Sequence, residues 1–405
     1  MCYFTFHVKQ ELALLPYKRA SPYHNPVNLR RSAIVILALL SLPLLSSCVK
    51  VLNPSGWAPV VFDGDTAYVV TSKGKLSSID IEGDAGTANW TFPDKDRSED
   101  KDLELKAIYG APIVDGDRIY FGTFHGGVFA LRKEDGRPVW PGVDGNPQKI
   151  KGDLAGGIVL AGDTIFFGTT EGWVYGWNKE DGRPARGWEE PKKVAGGIWA
   201  APVANSDTVF VATTEGNLHA FSMSDGSERW TSFKASGAII ELSFANDDLL
   251  FVPSINHHVY LVSVQDGSVV SDFKANNWVW SNGATEGSKL FFGDFSGTVF
   301  GLDITTKPAT ELWAPASVGD EHIRAAPAII GDVVVVVDRK PVVSFINIKD
   351  GTILNRVPLQ DAGTVRADLT VKDDFAYIST TNGKLFRAEP KNLKVVEVVL
   401  SGVKK

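Results

Sequence analysis

The chain of 405 residues contains a unit that recurs over most of its length after residue 56. One copy runs from Tyr109 to Trp140, with three short apolar runs separated by Gly-Asp, Thr-x-x-Gly and Asp-Gly. Apolar runs between such breakers predict antiparallel strands joined by tight turns. A fourth run begins at Val139, so the unit predicts a four-stranded antiparallel meander.

Eight copies of this unit follow one another with a period of about 44 residues. The residues aligned with Asp117, here called anchors, are Asp65, Asp117, Asp163, Asp207, Asp248, Ser288, Asp332 and Asp374. The Asp-Gly and Thr-x-x-Gly turn signals repeat in step with them. A four-stranded unit of this length cannot bury both of its faces alone, so the copies must pack face to face around an axis. The sequence therefore predicts an all-β fold, an eight-bladed β-propeller of four-stranded antiparallel blades.

A large aromatic residue ends six of the copies: Trp90, Trp140, Trp188, Trp230, Phe273 and Trp313. Together with the turn signals, this pattern resembles the PQQ-like (quinoprotein-type) propeller repeat. Residues 130–140 and 220–230 match the second half of that repeat, with Asp135 and Asp225 where it has Thr. The resemblance implies the propeller fold and says little about function, because one fold carries many activities.

Composition and charge exclude some function classes. The two cysteines, Cys2 and Cys48, lie outside the repeats, so neither a disulfide framework nor a cysteine metal site is expected. The formal charge is −7, and residues 1–47 carry five basic residues and one acidic residue, a net of +4. A product beginning at Cys48 therefore carries about −11 (−7 minus 4). Nucleic acid is not an expected partner, because binding its phosphates requires a basic surface.

The N-terminal region has the features of an export signal. Arg30-Arg31 precedes an apolar run from Ala33 to Leu45, too short to span a bilayer and typical of a signal sequence. The ending Leu45-Ser46-Ser47-Cys48 resembles a lipobox, which makes Cys48 the predicted lipid attachment site. The alternative is an uncleaved anchor or a buried hydrophobic segment. Val27 is our candidate for the true translation start, because residues 1–26 form an unusually long preface for a signal.

The predicted organisation is a signal peptide region over residues 1–47, a lipidated tether over 48–56 and one propeller domain over 57–400. We expect the propeller to be monomeric. Two arrangements for ring closure remain open, since Val49 to Gly56 could add an edge strand or the eighth copy could supply four strands itself.

One position of the repeat is a candidate for partner binding. Eight residues before each anchor, the copies carry Trp57, Tyr109, Ala155, Trp199, Ile240, Trp280, Arg324 and Arg366. Equivalent positions in successive blades lie on one circle about the ring axis, so these side chains should form a rim. Tyr, Trp and Arg are typical of interface hot spots, and Arg binds carboxylates. We predict a partner-binding rim of Tyr109, Trp199, Trp280, Arg324 and Arg366. The alternative is that the aromatic residues only separate adjacent blades and the arginines pair with Asp or Glu.

No catalytic, cofactor-binding or metal-binding residues are predicted. The five histidines in the repeats share no ring level, and the common catalytic motifs are missing. Asp94-x-Asp96-x-Ser98 starts like a calcium loop but lacks the required Gly at 99 and Glu at 105. The alternative that the resemblance implies is a PQQ-dependent dehydrogenase. Many members of that class carry bridged adjacent cysteines and a calcium site of Glu, Asn and Asp, which the sequence does not reveal.

Among PQQ-like proteins, the chain resembles the BamB family of lipoproteins, accessory to the machinery that inserts β-barrels into outer membranes. This resemblance implies a non-catalytic, lipid-anchored scaffold at the periplasmic face of the outer membrane, with protein partners in that machinery. In a cell without an outer membrane, we expect an exported binding or sensing lipoprotein on the outer face of the cell membrane.

Overall fold

The structure, a computed structural model, describes residues 56–403 except 72, 102, 126 and 141–149. The predicted lipid attachment site Cys48 and translation start Val27 lie outside these residues. The described residues form six sheets of one repeat each and one eight-stranded sheet that holds two repeats. Eight antiparallel units, here called blades 1 to 8, therefore fit the eight predicted copies.

The first four blades take up the chain as far as residue 234. Their strands are β1 Val61–Asp63, β2 Thr66–Val70, β3 Leu76–Glu82 and β4 Ala85–Phe92 in blade 1; β5 Ile113–Asp115, β6 Arg118–Gly122, β7 Val128–Arg132 and β8 Pro138–Trp140 in blade 2; β9 Ile158–Ala161, β10 Thr164–Gly168, β11 Trp173–Asn178 and β12 Lys192–Lys193 in blade 3; β13 Val203–Ala204, β14 Thr208–Ala212, β15 Asn217–Ser222 and β16 Glu228–Lys234 in blade 4.

The last four blades complete the ring. Their strands are β17 Ser243–Asn246, β18 Leu249–Pro253, β19 His258–Ser263 and β20 Val269–Lys274 in blade 5; β21 Ala284–Glu286, β22 Lys289–Gly293, β23 Thr298–Asp303, β24 Thr310–Glu311 and β25 Ala316–Ser317 in blade 6; β26 Ala328–Ile330, β27 Val333–Val337, β28 Val342–Asn347 and β29 Ile353–Pro358 in blade 7; β30 Thr370–Lys372, β31 Phe375–Ser379, β32 Leu385–Glu389 and β33 Lys394–Ser401 in blade 8. In blade 6 the outer strand is divided, because β24 and β25 both pair with β23. Two short 3-10 turns lie at Ser98–Asp100 and Pro390–Asn392.

The turn between the first and second strands explains the Gly that precedes most anchors. In blade 2, Asp115 pairs with Arg118, and Gly116 between them has φ +60°. A left-handed residue is what a two-residue hairpin turn requires, and Gly adopts it without steric cost. In blade 8, Asp373 occupies this position with φ +53°.

The apolar core lies between the blades. Each of its eight clusters combines side chains from two neighbouring blades. One cluster joins blade 8 to blade 1 through Tyr377, Leu385, Val60 and Val69, so the ring is closed. Innermost strands of adjacent blades contact one another, as β5 contacts β9 and β26 contacts β30. The propeller predicted from the repeats is confirmed.

The blade-closing tryptophans tie each blade to the next. Trp188 is buried, and its Nε1 donates to the carbonyl of Met223 in blade 4 at 2.9 Å. The corresponding bonds join Trp90 to Lys133, Trp140 to Lys179, Trp230 to Val264 and Trp313 to Ile348. The rings of Trp90 and Trp140 cover the Asp-Gly turns at Gly136 and Gly182 of the following blades. The aromatic residue and the Asp-Gly turn therefore recur together because they contact each other.

Ring closure uses the C-terminal strand. The first part of β33 pairs antiparallel with β32, and its end, Val399 to Ser401, pairs parallel with Ala85 to Thr87 of β4. Of the two arrangements that the sequence left open, blade 8 thus supplies four strands itself and also contacts blade 1 directly. Most of the segment from Val49 to Gly56 lies outside the described residues.

Candidate binding face

One face of the ring is built from two sets of loops held together by a repeating backbone bond. In seven blades, the residue seven positions after the anchor donates its N–H to the carbonyl ten positions before the same anchor. The pairs are Phe124 to Ala107, Thr170 to Asp153, Thr214 to Gly197, Ile255 to Ala238, Phe295 to Trp278, Arg339 to His322 and Thr381 to Thr364. The predicted rim position lies two residues after each accepting carbonyl. Rim and loop side chains therefore share this face, which we call the binding face.

The loops keep their shape through a side-chain acceptor at the sixth position after the anchor. The hydroxyl oxygen of Thr169 accepts the backbone N–H of Trp173 at 3.2 Å, and Thr71, Thr123, Thr213 and Thr380 accept equivalent bonds. In blades 6 and 7, Asp294 and Asp338 take this role with carboxylate oxygens. The Thr-x-x-Gly signal is therefore a loop motif that positions the neighbouring side chains on the binding face.

Arg366 and Tyr109 of the predicted rim meet around Trp57. The guanidinium carbon of Arg366 lies 4.9 Å from the centre of the Trp57 ring. Trp57 also contacts Tyr109 with ring centres 4.3 Å apart, and Tyr109 meets Phe124 edge-on at 5.6 Å. This first cluster runs from blade 8 across blade 1 to blade 2.

Arg324 and Trp280 form a second cluster around Phe295. The guanidinium carbon of Arg324 lies 5.2 Å from the Trp280 ring centre and 5.0 Å from that of Phe295. Phe295 stacks on Trp280 at 5.6 Å and on His322 at 4.5 Å, and Trp278 lies 5.9 Å away. Guanidinium groups over aromatic faces are attracted to the ring electrons, which fixes their orientation.

Within the part of the chain that the structure describes, the rim arginines Arg324 and Arg366 have no carboxylate partner. Burial and the nearby Arg366 and Arg339 lower the pKa of Arg324 to about 10. Burial and Arg339 also lower the pKa of Arg366. Among the described residues, no carboxylate forms an ion pair with Arg324 or Arg366, and Arg324 Nε is enclosed without an acceptor. The predicted alternative, in which these arginines pair with Asp or Glu, is not what the structure shows.

The other rim positions are less closely joined. Trp199 is the most exposed of the predicted residues, with 44% of its surface accessible, and makes no ring contact with other described aromatic residues. Ala155 is partly buried and Ile240 is buried. The structure therefore brings four of the five predicted residues into two adjacent clusters and leaves Trp199 by itself in blade 4.

A polar cluster is formed by residues one or two positions after the rim position. Asn282 Nδ2 donates to Glu241 Oε2 at 3.3 Å and to Asp368 Oδ2 at 3.1 Å, and Asp368 Oδ1 accepts from the N–H of Ala326 at 2.6 Å. These four residues come from blades 5, 6, 8 and 7. Burial, together with the charge of Asp368, raises the pKa of Glu241 well above its ordinary value, and burial also raises that of Asp368. The bonds connect four blades across the inside of the ring.

Sequence reasoning missed several members of the binding face. Phe124, Phe295 and Arg339 all occupy the seventh position after an anchor, a second circle that aligning the repeats would have found. Trp278 and His322 share the tenth position before an anchor. Glu241, Asn282 and Asp368 occupy two different repeat positions, so no single position of the repeat reveals them.

The described residues contain histidine–carboxylate contacts but no cluster of metal-ligand side chains. No group of three or more His, Cys, Asp or Glu within them could hold a metal ion. His219 and His258 each contact a carboxylate on the adjacent strand, at 2.6 Å to Glu228 and 2.5 Å to Asp272. Over the same part of the chain, none of the helices has the length and apolar character needed to cross a membrane.

The fold and its repeat define the class of the protein, a β-propeller of quinoprotein-type repeats. The family model described as "Outer membrane protein assembly factor BamB" matches residues 47–188 and 185–396, so the chain belongs to that family. A search of curated proteins gives no significant match.

Solved structures support the fold. BamB from Moraxella catarrhalis superposes with a TM-score of 0.65 at 18% identity, covering 84% of this chain and 97% of that one. The computationally designed Ika8 protein gives 0.65 at 15% identity, with 85% and 97% covered. The C-terminal WD40 domain of Sif2 gives 0.63 at 13% identity, with 82% and 93% covered. These identities are low, so the likeness concerns the fold alone.

Proposed function

We propose that the chain is a non-catalytic, lipid-anchored scaffold that binds protein partners during the assembly of outer-membrane β-barrel proteins. The observation that carries this proposal is the binding face, where aromatic and arginine side chains lie together with unbalanced positive charge. Buried or half-buried Trp, Tyr and Arg are the residues that dominate protein interfaces. Membership of the family described as "Outer membrane protein assembly factor BamB" supports a role in that assembly.

Export and anchoring complete the proposal. The apolar run from Ala33 to Leu45 and the cysteine at Cys48 would attach the propeller by lipid to the periplasmic face of the outer membrane. Mass spectrometry of the mature N-terminus tests this part, with acylated Cys48 as the expected first residue. An unmodified N-terminus that begins elsewhere would contradict it.

Site-specific photo-crosslinking in intact cell envelopes tests the partner role. A photo-reactive amino acid replaces Trp278, which lies on the binding face with 41% of its surface exposed. The matched control replaces Leu354 on the outer strand β29, which is 40% exposed. We expect crosslinks to a barrel-assembly component from position 278 and few or none from position 354. Crosslinks only to unrelated envelope proteins would contradict the proposal.

The non-catalytic part has its own test. Addition of PQQ with calcium to the purified protein should give no tight quinone absorbance and no dye-linked oxidation of alcohols or glucose. A saturable response would favour the dehydrogenase alternative.

A further inference from the structure

We propose that Arg324 and Arg366 form a carboxylate-binding pair that receives an acidic segment of a protein partner. This inference rests on the proposed function, since it names the chemistry of the partner that the binding face takes.

The first argument is the contrast with other arginines of the same protein. Arg132, Arg229 and Arg387 each contact a carboxylate, at 2.7 Å to Asp135, 2.8 Å to Asp207 and 2.7 Å to Asp84. The chain contains 48 Asp and Glu against 41 Lys and Arg, so carboxylates are not scarce. Among the described residues, Arg183 and Arg186 also lack an ion pair, but they are exposed, whereas Arg324 and Arg366 are partly buried on the binding face.

The second argument is energetic. Both guanidinium groups are partly withdrawn from water. Burial, together with the charges of Arg366 and Arg339, lowers the pKa of Arg324 to about 10. Removing a cation from water is unfavourable unless an anion compensates it. A bound carboxylate would supply that compensation for both groups at once, because the two arginines occupy the same rim position in adjacent blades 7 and 8.

The third argument is geometric. Each guanidinium lies over aromatic faces, Arg324 over Trp280 and Phe295 and Arg366 over Trp57. A stacked guanidinium keeps its N–H groups at its edge, and no described acceptor takes them. That edge matches the two oxygens of a carboxylate, which arginine binds through paired hydrogen bonds.

The surroundings favour a protein segment over a phosphate surface. Trp57, Tyr109, Phe124 and Trp280 place partly exposed ring surface near the two arginines, which suits apolar side chains that flank an acidic residue. The net charge of about −11 after residue 47 (−7 minus 4) opposes approach to an anionic membrane. The arginines would contact an acidic segment at short range among the aromatic rings. At that range their attraction outweighs the screened repulsion from the more distant negative charges of the chain.

A peptide-binding titration on the full chain in detergent tests the pair. The probe is a fluorescein-labelled peptide in which Asp and Glu alternate with Phe and Trp, and its counterpart carries Asn and Gln instead. We expect the double variant R324Q/R366Q to bind the acidic peptide at least tenfold more weakly. The double variant R324K/R366K keeps both charges but loses the paired geometry. Its affinity for the acidic peptide should fall between that of the parent chain and that of R324Q/R366Q. The control R229Q removes one positive charge at Arg229, which lies on an outer strand beside Asp207, and should leave the affinity within twofold.

Folding is checked in parallel. Removing two repelling, half-buried cations should leave the melting temperature of R324Q/R366Q equal to or above that of the parent. If the double variant melts at a lower temperature than the parent, the inference is tested on the parent chain alone. The parent should bind the acidic peptide at least tenfold more tightly than the Asn/Gln peptide.

Three results would overturn the inference: equal binding of both peptides by the parent chain, unchanged binding by a folded R324Q/R366Q, or arginine-dependent binding of inorganic phosphate or phosphatidylglycerol vesicles that exceeds peptide binding. Crosslinking from position 278 separates this failure from failure of the proposed function. A captured barrel-assembly component together with a negative peptide titration would keep the scaffold role and remove only the carboxylate chemistry.

Discussion

At the scale of single residues, polar atoms placed between blades decide much of the architecture. The Trp188 indole donates to a carbonyl of the next blade, and Asn282 joins two carboxyl groups from blades 5 and 8. A buried polar group that finds its partner costs little, whereas an unpaired one is expensive. These contacts therefore select one relative placement of neighbouring blades.

The Glu241 carboxyl makes stability depend on pH. Its pKa in the folded chain is well above the ordinary value, so between those two values the folded state binds more protons than the unfolded state. Stability should fall as the pH rises through that interval and remain reduced above it. A pKa difference of one unit corresponds to about 1.4 kcal/mol.

Glu241→Gln should remove the Glu241 contribution to this dependence, because the amide cannot ionise and still offers an oxygen to Asn282. We expect the variant to be at least about 1 kcal/mol more stable than the parent at pH 8, with the difference shrinking at pH 4. Denaturant titrations at both pH values measure it. Glu286→Gln, on exposed β21, is the control and should follow the parent. A variant that is less stable at pH 8 would show that Glu241 is needed as a charged group.

At the scale of elements, the junction of β33 and β4 holds the first and last blades together. The N–H of Val399 donates to the carbonyl of Asp84 at 2.9 Å, and the Val399 side chain is largely exposed. Val399→Pro removes that donor, leaves the Asp84 carbonyl without it, and should lower the free energy of unfolding by about 1–3 kcal/mol. Val399→Ala keeps the donor and should change it by less than about 0.5 kcal/mol. Denaturant titrations of both variants measure the difference, and equal values would show that the junction contributes little.

Much of the element scale could be predicted from the sequence, because turn residues and apolar alternation act over a few neighbouring positions. The repeat alignment also predicted that Arg324, Trp280 and Arg366 lie on one face, because they occupy equivalent positions in successive blades. The parallel pairing of β33 with β4 could not be predicted, since β-strands carry no local signal that names a distant partner. The cluster of Glu241, Asn282 and Asp368 depends on side-chain reach between blades, which repeat alignment does not describe.

At the scale of the whole molecule, the described residues give no blade an apolar core of its own. Every cluster of buried apolar residues is shared by two neighbours, including the one between blades 8 and 1. Opening any interface exposes apolar surface on both sides, so partly unfolded rings are costly.

The ring should therefore unfold in one transition. Circular dichroism and tryptophan fluorescence should give the same melting temperature, and a contact defect in one interface should move both together. Gly110→Ala is such a defect, because an added Cβ would lie 2.1 Å from the Gly157 Cα in blade 3. Gly116→Ala is the control, since its Cβ meets nothing within 4 Å and only the turn conformation is strained. Two separate transitions would show that parts of the ring are independent.

In seven blades, the N–H of the residue seven positions after the anchor donates to the carbonyl ten positions before it. This backbone bond has an evolutionary consequence. It involves main-chain atoms alone, so it is the same whether the adjoining side chains are Phe124 and Tyr109 or Thr170 and Ala155. Side chains on the binding face can therefore be substituted one at a time, which changes what the face recognises and leaves the backbone frame unchanged. Relatives with this frame are free to diverge in what they recognise long before they diverge in shape.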